Sequence, residues 1–94
     1  MTYEVVLSPR ARRALSEELP EAVAAACIEF ITGPLAENPR RVGKPLRNEL
    51  AGTYSARRGE FRVVYDIDDN RICVEVISIR HRRDAYRTRE VVGS

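Results

Sequence analysis

The chain has 94 residues, of which 44% are hydrophobic and 32% charged, and it carries a formal net charge of +2 at pH 7. This length and composition predict one globular domain over residues 1–94 and exclude both a disordered chain and a separate substrate domain. No apolar run approaches the roughly 20 residues of a membrane-spanning helix, and the N-terminus lacks the pattern of a secretion signal. We therefore expect a cytoplasmic protein without membrane contact.

The cysteine and histidine content argues against a metal site. Cys27 and Cys73 lie 46 positions apart, which fits neither a CxxC motif nor a zinc-ligand spacing. We interpret both as buried, reduced thiols, which agrees with a cytoplasmic location, and keep a disulfide or redox role as the alternative. His81 is the single histidine, so no metal or other cofactor is predicted.

The basic residues are concentrated in the second part of the chain. Residues 1–39 hold three arginines and six glutamates, a net charge of −3, whereas residues 40–94 hold thirteen basic and eight acidic residues, a net charge of +5. Fifteen of the sixteen cations are arginine, whose planar guanidinium binds phosphate in a bidentate manner. This asymmetry favours a polyanion or an acidic protein as partner, with a merely solvated surface as the alternative.

The N-terminal third predicts a strand and two helices. Tyr3–Leu7 is a short β-rich run, and Ser8 then acts as the N-cap of a helix over Pro9–Leu19. Pro20 restarts the chain, and a second helix is predicted over Ala22–Thr32. Its expected buried stripe consists of Val23, Cys27, Phe30 and Ile31. The two helices form a hairpin.

The rest of the chain predicts three strands and a short helix. Gly33-Pro34 indicates a helix stop, with a brief continuation from Pro34 to Glu37 as the alternative, and a loop begins at Asn38. Turns at Gly59 and Asp68–Asn70 separate the strands. The predicted strands are Thr53–Arg58, Phe61–Ile67 and Arg71–Ile79, followed by a helix over Arg82–Arg87.

This order, β-α-α-β-β-β-α, predicts an α+β fold. Strands joined by tight turns pair antiparallel, and the helical hairpin must cover one face of the sheet. We expect a mostly antiparallel four-stranded sheet with the hairpin packed on one face. The short C-terminal helix is expected near the other face, which is otherwise open.

Strand alternation assigns the arginines to faces. In Phe61–Ile67 the apolar residues alternate with Arg62, so Arg62 is expected on the open face, where it requires water, an acid or a phosphate as partner. A salt bridge to Asp66 or Asp84 is the alternative to a functional role. Arg57, on the preceding strand, is a second candidate for the open face.

Residues that follow the last strand can close on these two arginines. The turn into the final helix carries a histidine, several arginines and a tyrosine, and we predict that part of this set converges with the strand arginines in one electropositive patch. A core role for the histidine and helix packing for the tyrosine are the alternatives. The candidate catalytic residues are Arg57, Arg62, His81, Arg82 and Tyr86. The candidate RNA- or phosphate-binding residues are Lys44, Arg47, Arg58, Arg80 and Arg83.

Such a patch suits metal-independent cleavage of RNA. A base takes the proton of the 2′-hydroxyl, cations stabilise the charge that develops on phosphorus, and an acid protonates the leaving 5′-oxygen. DNA lacks the 2′-hydroxyl, so the mechanism selects RNA. The flanking arginines are expected to disfavour the protonated form of His81, which makes a neutral imidazole available as base.

Four sequence runs together resemble a known superfamily. They are KPLR at 44–47, LAG at 50–52, YSARRGEFRVVY at 54–65 and HRRDAY at 81–86. The combination resembles the RelE/ParE superfamily of toxins from bacterial toxin–antitoxin pairs, and the RelE branch most. The resemblance covers nearly the whole chain.

The resemblance implies a ribosome-dependent mRNA endonuclease that cuts codons in the A site without a metal. It also implies a RelB-like antitoxin that wraps the toxin in a hetero-oligomer and displaces its C-terminal helix. Arg62 matches the arginine that contacts the scissile phosphate, and Arg57 a basic residue of the preceding strand. Arg82 and Tyr86 match the basic residue after the last strand and the tyrosine of the final helix, while His81 matches a histidine of several relatives.

One departure and two further readings remain open. Ser55 stands where the best-known members carry a second lysine, and Arg58 or Lys44 is the expected substitute. A ParE-like inhibitor that binds DNA gyrase and cuts nothing is the main alternative function. An antitoxin-bound scaffold with weakened activity is the third.

Overall fold

The computed structural model describes residues 2–46 and 52–81 of the chain. Within these ranges the backbone forms a five-stranded sheet in the order β1-β5-β4-β3-β2, in which β1 runs parallel to β5 and the other neighbours are antiparallel. The strands are β1 (Glu4–Leu7), β2 (Lys44–Pro45), β3 (Thr53–Arg58), β4 (Phe61–Asp68) and β5 (Cys73–His81). The α+β prediction is confirmed, and the fifth strand is the short β2.

Within residues 2–46 and 52–81, the helices lie between β1 and β2 in the sequence, and two of them end in a π-helical turn. They are α1 (Pro9–Arg13), which continues through Ala14–Glu18; α2 (Glu21–Phe30), which continues through Ile31–Leu35; and α3 (Pro39–Val42). The predicted helical hairpin is thus confirmed. The predicted loop from Asn38 is wrong, because α3 and β2 occupy it.

Ser8 joins the first helix to the sheet. Its Oγ accepts a hydrogen bond from the N–H of Ala11 at 3.1 Å and donates one to the carbonyl of Ile77 at 2.6 Å. The first bond satisfies one of the unpaired donors of the helix N-terminus, as expected of an N-cap serine. The second fixes the start of α1 to the middle of β5.

The second helix does not end at Gly33-Pro34, where the sequence predicted a helix stop. Proline has no N–H to donate, and its ring clashes with the carbonyl four residues earlier in a regular α-helix. The wider π-helical turn of Ile31–Leu35 contains Pro34 and relaxes both conflicts. Helical backbone resumes at Ala36 and Glu37, so the alternative prediction of a brief continuation is confirmed.

One face of the sheet packs on the helices and forms the core; we call it the helix face. The apolar residues of β4 alternate with exposed or half-buried ones, as predicted. All four residues of the predicted stripe of α2 are buried. The buried strand residues of this core are Ala56, Phe61, Val63, Tyr65, Val74, Val76 and Ile79. The opposite side of the sheet is the open face.

The β4–β5 turn is longer than the sequence indicated. Asp68 Oδ1 accepts hydrogen bonds from the backbone N–H groups of Asn70 and Arg71, at 3.0 and 3.2 Å, as in an Asx-turn. Ile72 follows with a φ of 51°. Arg71 and Ile72 therefore belong to the turn, and β5 begins at Cys73 and not at Arg71.

An extra residue in β5 changes which side chains face the core. Val64 pairs with Ser78 and Tyr65 with Val76, so Ile77 is left over as a β-bulge. Because the alternation shifts there by one, even-numbered residues face the helices before the bulge and odd-numbered ones after it. The strand also continues to His81, two residues beyond its predicted end.

Two expectations concern other parts of the chain. The predicted helix over Arg82–Arg87 lies outside the described residues. Of the helices within residues 2–46 and 52–81, none is long and apolar enough to cross a membrane.

Cys27 and Cys73 are both free thiols, the first buried and the second half-buried. Burial raises the pKa of the Cys27 thiol to about 11.

Candidate functional site

Three arginines stand side by side on the open face. Arg57 of β3 pairs directly with Arg62 of β4, and Arg62 pairs directly with Arg80 of β5. Opposed residues of antiparallel strands project from the same face with their Cβ atoms about 4.5–5.5 Å apart. All three side chains are exposed. They form a continuous cationic strip across the sheet, which we call the arginine row.

Lys44 adds a fourth cation beside this row. It pairs with Ser55, and Ser55 in turn pairs with Val64 on the open face. Lys44 is therefore on the same face as Arg57 and diagonal to it, and diagonal neighbours lie about 7–8 Å apart. Arg58 and Lys44 were expected to replace the family lysine whose position Ser55 occupies. Of these two residues, Lys44 is the one that lies on the open face.

These cations are not neutralised within the described ranges. In residues 2–46 and 52–81, the arginine row and Lys44 form no ion pair. Asp66 accepts a hydrogen bond from Thr53 Oγ1 at 2.6 Å and does not pair with Arg62. Like charges directly opposite each other destabilise a sheet, so packing alone does not explain the row. A bound anion does.

The other end of the open face is acidic. Asp66 pairs with Glu75, and both Glu4 and Asp68 pair with Cys73 on neighbouring strands. Opposite charges at the two ends orient an approaching polyanion, because its negative charges are attracted to one end and repelled by the other. The positive end of the open face is therefore the end that carries the arginine row.

Arg58 does not belong to this site. It pairs with Phe61, which fixes it on the helix face, and its Cζ lies 4.7 Å from the centroid of the Phe30 ring. That geometry is a cation–π contact. The prediction that Arg58 lies with the other phosphate-binding cations is wrong, because strand alternation turns its side chain the opposite way from Arg57.

His81 also lies on the helix face. It pairs with Phe61 and is only 6% exposed, and its Nε2 is 3.8 Å from Oε1 of Glu60. The predicted convergence of His81 with Arg62 is therefore wrong in position. There are two causes. The strand β5 continues to His81 and does not end at Ile79, and the bulge at Ile77 then directs Arg80 and not His81 to the open face.

A groove lies on the helix face, away from the arginine row. It has a volume of about 530 Å³ and runs between α2 and the β3–β4 turn. Apolar side chains line it, with charged ones beside them. The main lining residues are Val23, Phe30, Phe61, Glu29, Arg58 and Glu60. It contributes no side chain to the cationic face.

The position of β2, and so of Lys44, depends on a close contact beneath it. Tyr65 Oη donates a buried hydrogen bond to the carbonyl of Pro39 at 2.6 Å. A Cβ on Gly43 would collide with Tyr65 Oη and would lie 2.9 Å from the backbone oxygen of Ser55. Burial raises the pKa of Tyr65 to about 12, so the hydroxyl remains a donor.

Four candidates cannot be compared with this geometry. Arg47, Arg82, Arg83 and Tyr86 lie outside the described residues. Among the residues that are described, no three His, Cys, Asp or Glu side chains are grouped so that they could hold a metal ion. The structure places Arg80 in the arginine row, directly beside Arg62. The sequence did not indicate this position, because the β-bulge that turns Arg80 to the open face has no sequence signature.

Comparison with known proteins identifies the family. Residues 5–86 match the family model of the ParE toxin of type II toxin–antitoxin system, parDE. The chain therefore belongs to this family, and it is a toxin of a type II toxin–antitoxin pair.

Individual relatives carry RelE-type names. The chain is 55% identical to Toxin RelE of Mycobacterium tuberculosis over 85 residues, which is 90% of this chain and 87% of the relative. It is 51% identical to Toxin RelG of the same organism over 87 residues, or 93% and 99% of the two chains. The resemblance to the RelE branch is thereby confirmed.

Solved structures agree with the fold. The chain matches the toxin–antitoxin complex RelBE2 of Mycobacterium tuberculosis with a TM-score of 0.83 and 49% identity, covering 87% of this chain and 100% of the other. It matches the intact Escherichia coli RelBE complex with a TM-score of 0.69 and 26% identity, covering 84% and 95%.

Proposed function

We propose that the protein is a ribosome-dependent endoribonuclease that cleaves mRNA through attack of the 2′-hydroxyl. The observation that carries the proposal is the arginine row with Lys44 beside it, exposed and without ion pairs in the described part of the chain. The similarity to proteins named RelE supports the same conclusion.

The row suits the charge that develops in this reaction. The 2′-oxygen forms a bond to phosphorus while the bond from phosphorus to the 5′-oxygen breaks, which gives a cyclic phosphate and a free 5′-hydroxyl. Negative charge accumulates on the phosphate oxygens in between, and preorganised cations stabilise it most effectively there. Arg62 is central, with Arg57 and Arg80 on either side.

Two proton transfers accompany the bond changes. A base accepts the proton of the 2′-hydroxyl and an acid donates one to the 5′-oxygen. His81 lies on the helix face, so we do not assign it either transfer. Arg82 and Tyr86 remain the proposed source of a further phosphate contact and of a proton-transfer group.

Inhibition of DNA gyrase is the competing function. The matching family model is described by the parDE pair, so this reading has support of its own. Inhibition of gyrase, however, requires no cluster of cations arranged for phosphate chemistry. Cleavage of RNA distinguishes the two directly.

We further propose that a RelB-like antitoxin binds this toxin in a hetero-oligomer. Several similar structures are complexes of a RelE toxin with RelB. Because ribosomes and mRNA are the proposed targets, the free toxin acts in the cytoplasm.

The test is cleavage of a ribosome-bound message. Wild-type toxin and its Arg62→Ala variant are added to ribosomes programmed with mRNA, and the cut positions are mapped by primer extension. We expect A-site cuts with the wild type and none with Arg62→Ala. Arg71→Ala, which removes a cation from the β4–β5 turn, serves as the control and is expected to cut normally.

A second variant examines His81. We expect the folded His81→Ala variant to retain A-site cleavage.

Intact mRNA together with arrested DNA replication in cells that express the wild-type toxin would reject the nuclease and favour gyrase as target.

A further inference from the structure

We propose that Lys44 is a catalytic residue of this nuclease, and that the edge strand β2 exists to bring its ammonium to the scissile phosphate. This inference rests on the proposed function and adds a group to it. The observation behind it is the direct pairing of Lys44 with Ser55 across β2 and β3. It places Lys44 beside Ser55 on the open face, diagonal to Arg57.

The backbone that carries Lys44 is fixed on both sides. Gly43, just before it, packs against Tyr65 Oη and the backbone of Ser55. Leu46, just after Pro45, donates its N–H to the carbonyl of Thr53 at 2.8 Å. A lysine with a purely solubilising role needs no such support. Anchoring on both sides fixes the backbone position from which the Lys44 side chain extends, so the strand itself does not have to be ordered when a phosphate binds.

The residue type is also informative. Lys44 is the single lysine among sixteen basic residues, and the other fifteen are arginines. Arginine presents a flat, bidentate fork, whereas the ammonium is a compact point charge on a flexible four-carbon stem. The arginine row can hold two oxygens of a phosphate in its forks. The ammonium can bring its charge to a single oxygen from many directions, whereas a planar fork is limited to the directions of its N–H groups.

The charge environment is consistent with this role. Lys44 is exposed and forms no ion pair with any residue of 2–46 or 52–81. Ser55 opposite it is small, so the ammonium is free to extend towards Arg57 and Arg62. Lys44 is diagonal to Arg57, and diagonal neighbours lie about 7–8 Å apart, so the flexible stem of Lys44 can extend towards a phosphate bound at Arg57.

An exchange of the two paired residues tests the inference. Single-turnover cleavage is measured on programmed ribosomes at saturating ribosome concentration for Lys44→Ala and for the double variant Lys44→Ser with Ser55→Lys. Loss of one such donor typically slows a reaction by about 10²–10³-fold, and we expect a loss of that order for Lys44→Ala. The double variant carries the ammonium on the facing residue of the same pair and is expected to recover most of the rate.

The controls separate chemistry from charge and folding. Arg71→Ala removes an equal charge from the other end of the sheet and is expected to leave the rate unchanged. The melting temperature of every variant is measured, and we expect no loss for Lys44→Ala because its side chain is exposed.

Three results would count against the inference or the function beneath it. Wild-type cleavage by Lys44→Ala, while Arg62→Ala is inactive, would overturn the role of Lys44 and leave the nuclease intact. A folded double variant as slow as Lys44→Ala would overturn the inference that an ammonium from this pair of facing residues reaches the phosphate. Absence of cleavage by the wild type would reject the proposed function itself.

Discussion

Arg62 shows how function and stability separate at a single residue. It stands between Arg57 and Arg80 in direct cross-strand register. Each like-charged pair directly opposite in a sheet is unfavourable, and cross-strand pairs contribute about 0.2–1 kcal/mol. Arg62 thus takes part in two such contacts and has no compensating ion pair among the described residues.

We therefore predict that Arg62→Ala abolishes mRNA cleavage without destabilising the fold. Removal of two like-charge contacts is expected to leave the free energy of unfolding unchanged or to raise it by about 1 kcal/mol. Urea unfolding of the purified variant measures this. The neighbouring Val63→Ala is the control, because Val63 is 0% exposed, and removal of buried methyl groups costs about 1–3 kcal/mol. Unfolding of Arg62→Ala would show that the arginine is structural.

At the scale of elements, the attachment of α3 and β2 depends on one buried hydroxyl. Tyr65 donates to the Pro39 carbonyl at the start of α3, and its ring stacks on Tyr54 with centroids 5.9 Å apart. Tyr65→Phe keeps the stacking but leaves the carbonyl without its donor. A buried group that loses its partner costs about 1–3 kcal/mol, and we expect a loss of that size in chemical denaturation.

Gly43 and Tyr65 are predicted to be energetically coupled. Gly43→Ala inserts a methyl group against Tyr65 Oη and the Ser55 backbone oxygen, and such overpacking costs about 1–3 kcal/mol. In the background of Tyr65→Phe the hydroxyl is absent, so the same methyl group should cost less. A double-mutant cycle measures the difference. Additive effects of the two substitutions would mean that the clash is with the backbone alone.

The β4–β5 turn stores strain at Ile72. This residue has a φ of 51°, a conformation that costs a β-branched residue roughly 1–2 kcal/mol. We predict that Ile72→Gly raises the melting temperature. The matched control is Ile28→Gly, which removes an isoleucine of similar exposure from α2, where glycine is expected to cost about 1 kcal/mol. A lower melting temperature for Ile72→Gly would show that its side-chain contacts outweigh the strain.

The sequence predicted elements well where one strong pattern governed them. The alternation in β4 and the N-cap at Ser8 followed from side-chain direction and local hydrogen bonding. His81 was misplaced because β5 was expected to end at Ile79, and because the face of residue 81 in the longer strand depends on whether β5 contains an even or odd number of residues after Val76. One extra residue, Ile77, reverses that parity, and the partner strand alone reveals it.

The short strand β2 was missed for a related reason. Two residues carry no periodicity, so only pairing with β3 defines Lys44–Pro45 as a strand. That pairing places Lys44 beside the arginine row, and the pairing of Arg58 with Phe61 places Arg58 on the other face. Site assignment in this fold therefore depends on register, which involves residues distant in sequence.

At the scale of the whole molecule, the sheet separates stability from chemistry. Its helix face contains the described apolar core, while the open face carries cations at one end and carboxylates at the other. Substitutions of the exposed cations on the open face are therefore expected to cost little stability. Because the cationic end is exposed, its contribution to binding a polyanion weakens as salt rises.

A charged network at the acidic end joins three distant parts of the chain. The carboxylate of Asp69 in the β4–β5 turn accepts from Arg40 Nη1 and Nη2 of α3, at 3.0 and 2.5 Å, and from Tyr3 Oη at 2.9 Å. The hydrogen bonds from Arg40 and then Tyr3 hold the pKa of Asp69 below its ordinary value. Bonds to the charged form of a carboxyl have this effect.

The network predicts a specific dependence of stability on pH. Since the pKa of Asp69 is lower in the folded state, its contribution is complete above the unfolded value of about 3.9 and is lost as pH falls through the folded value. We expect the wild type to melt above Asp69→Asn at pH 6 and the two melting temperatures to approach each other as pH falls below about 4. Glu37→Gln, which neutralises an exposed carboxylate, is the control and should show no such gap. A gap between wild type and Asp69→Asn that persists unchanged into acid would mean that the carboxylate acts there through its shape and not its charge.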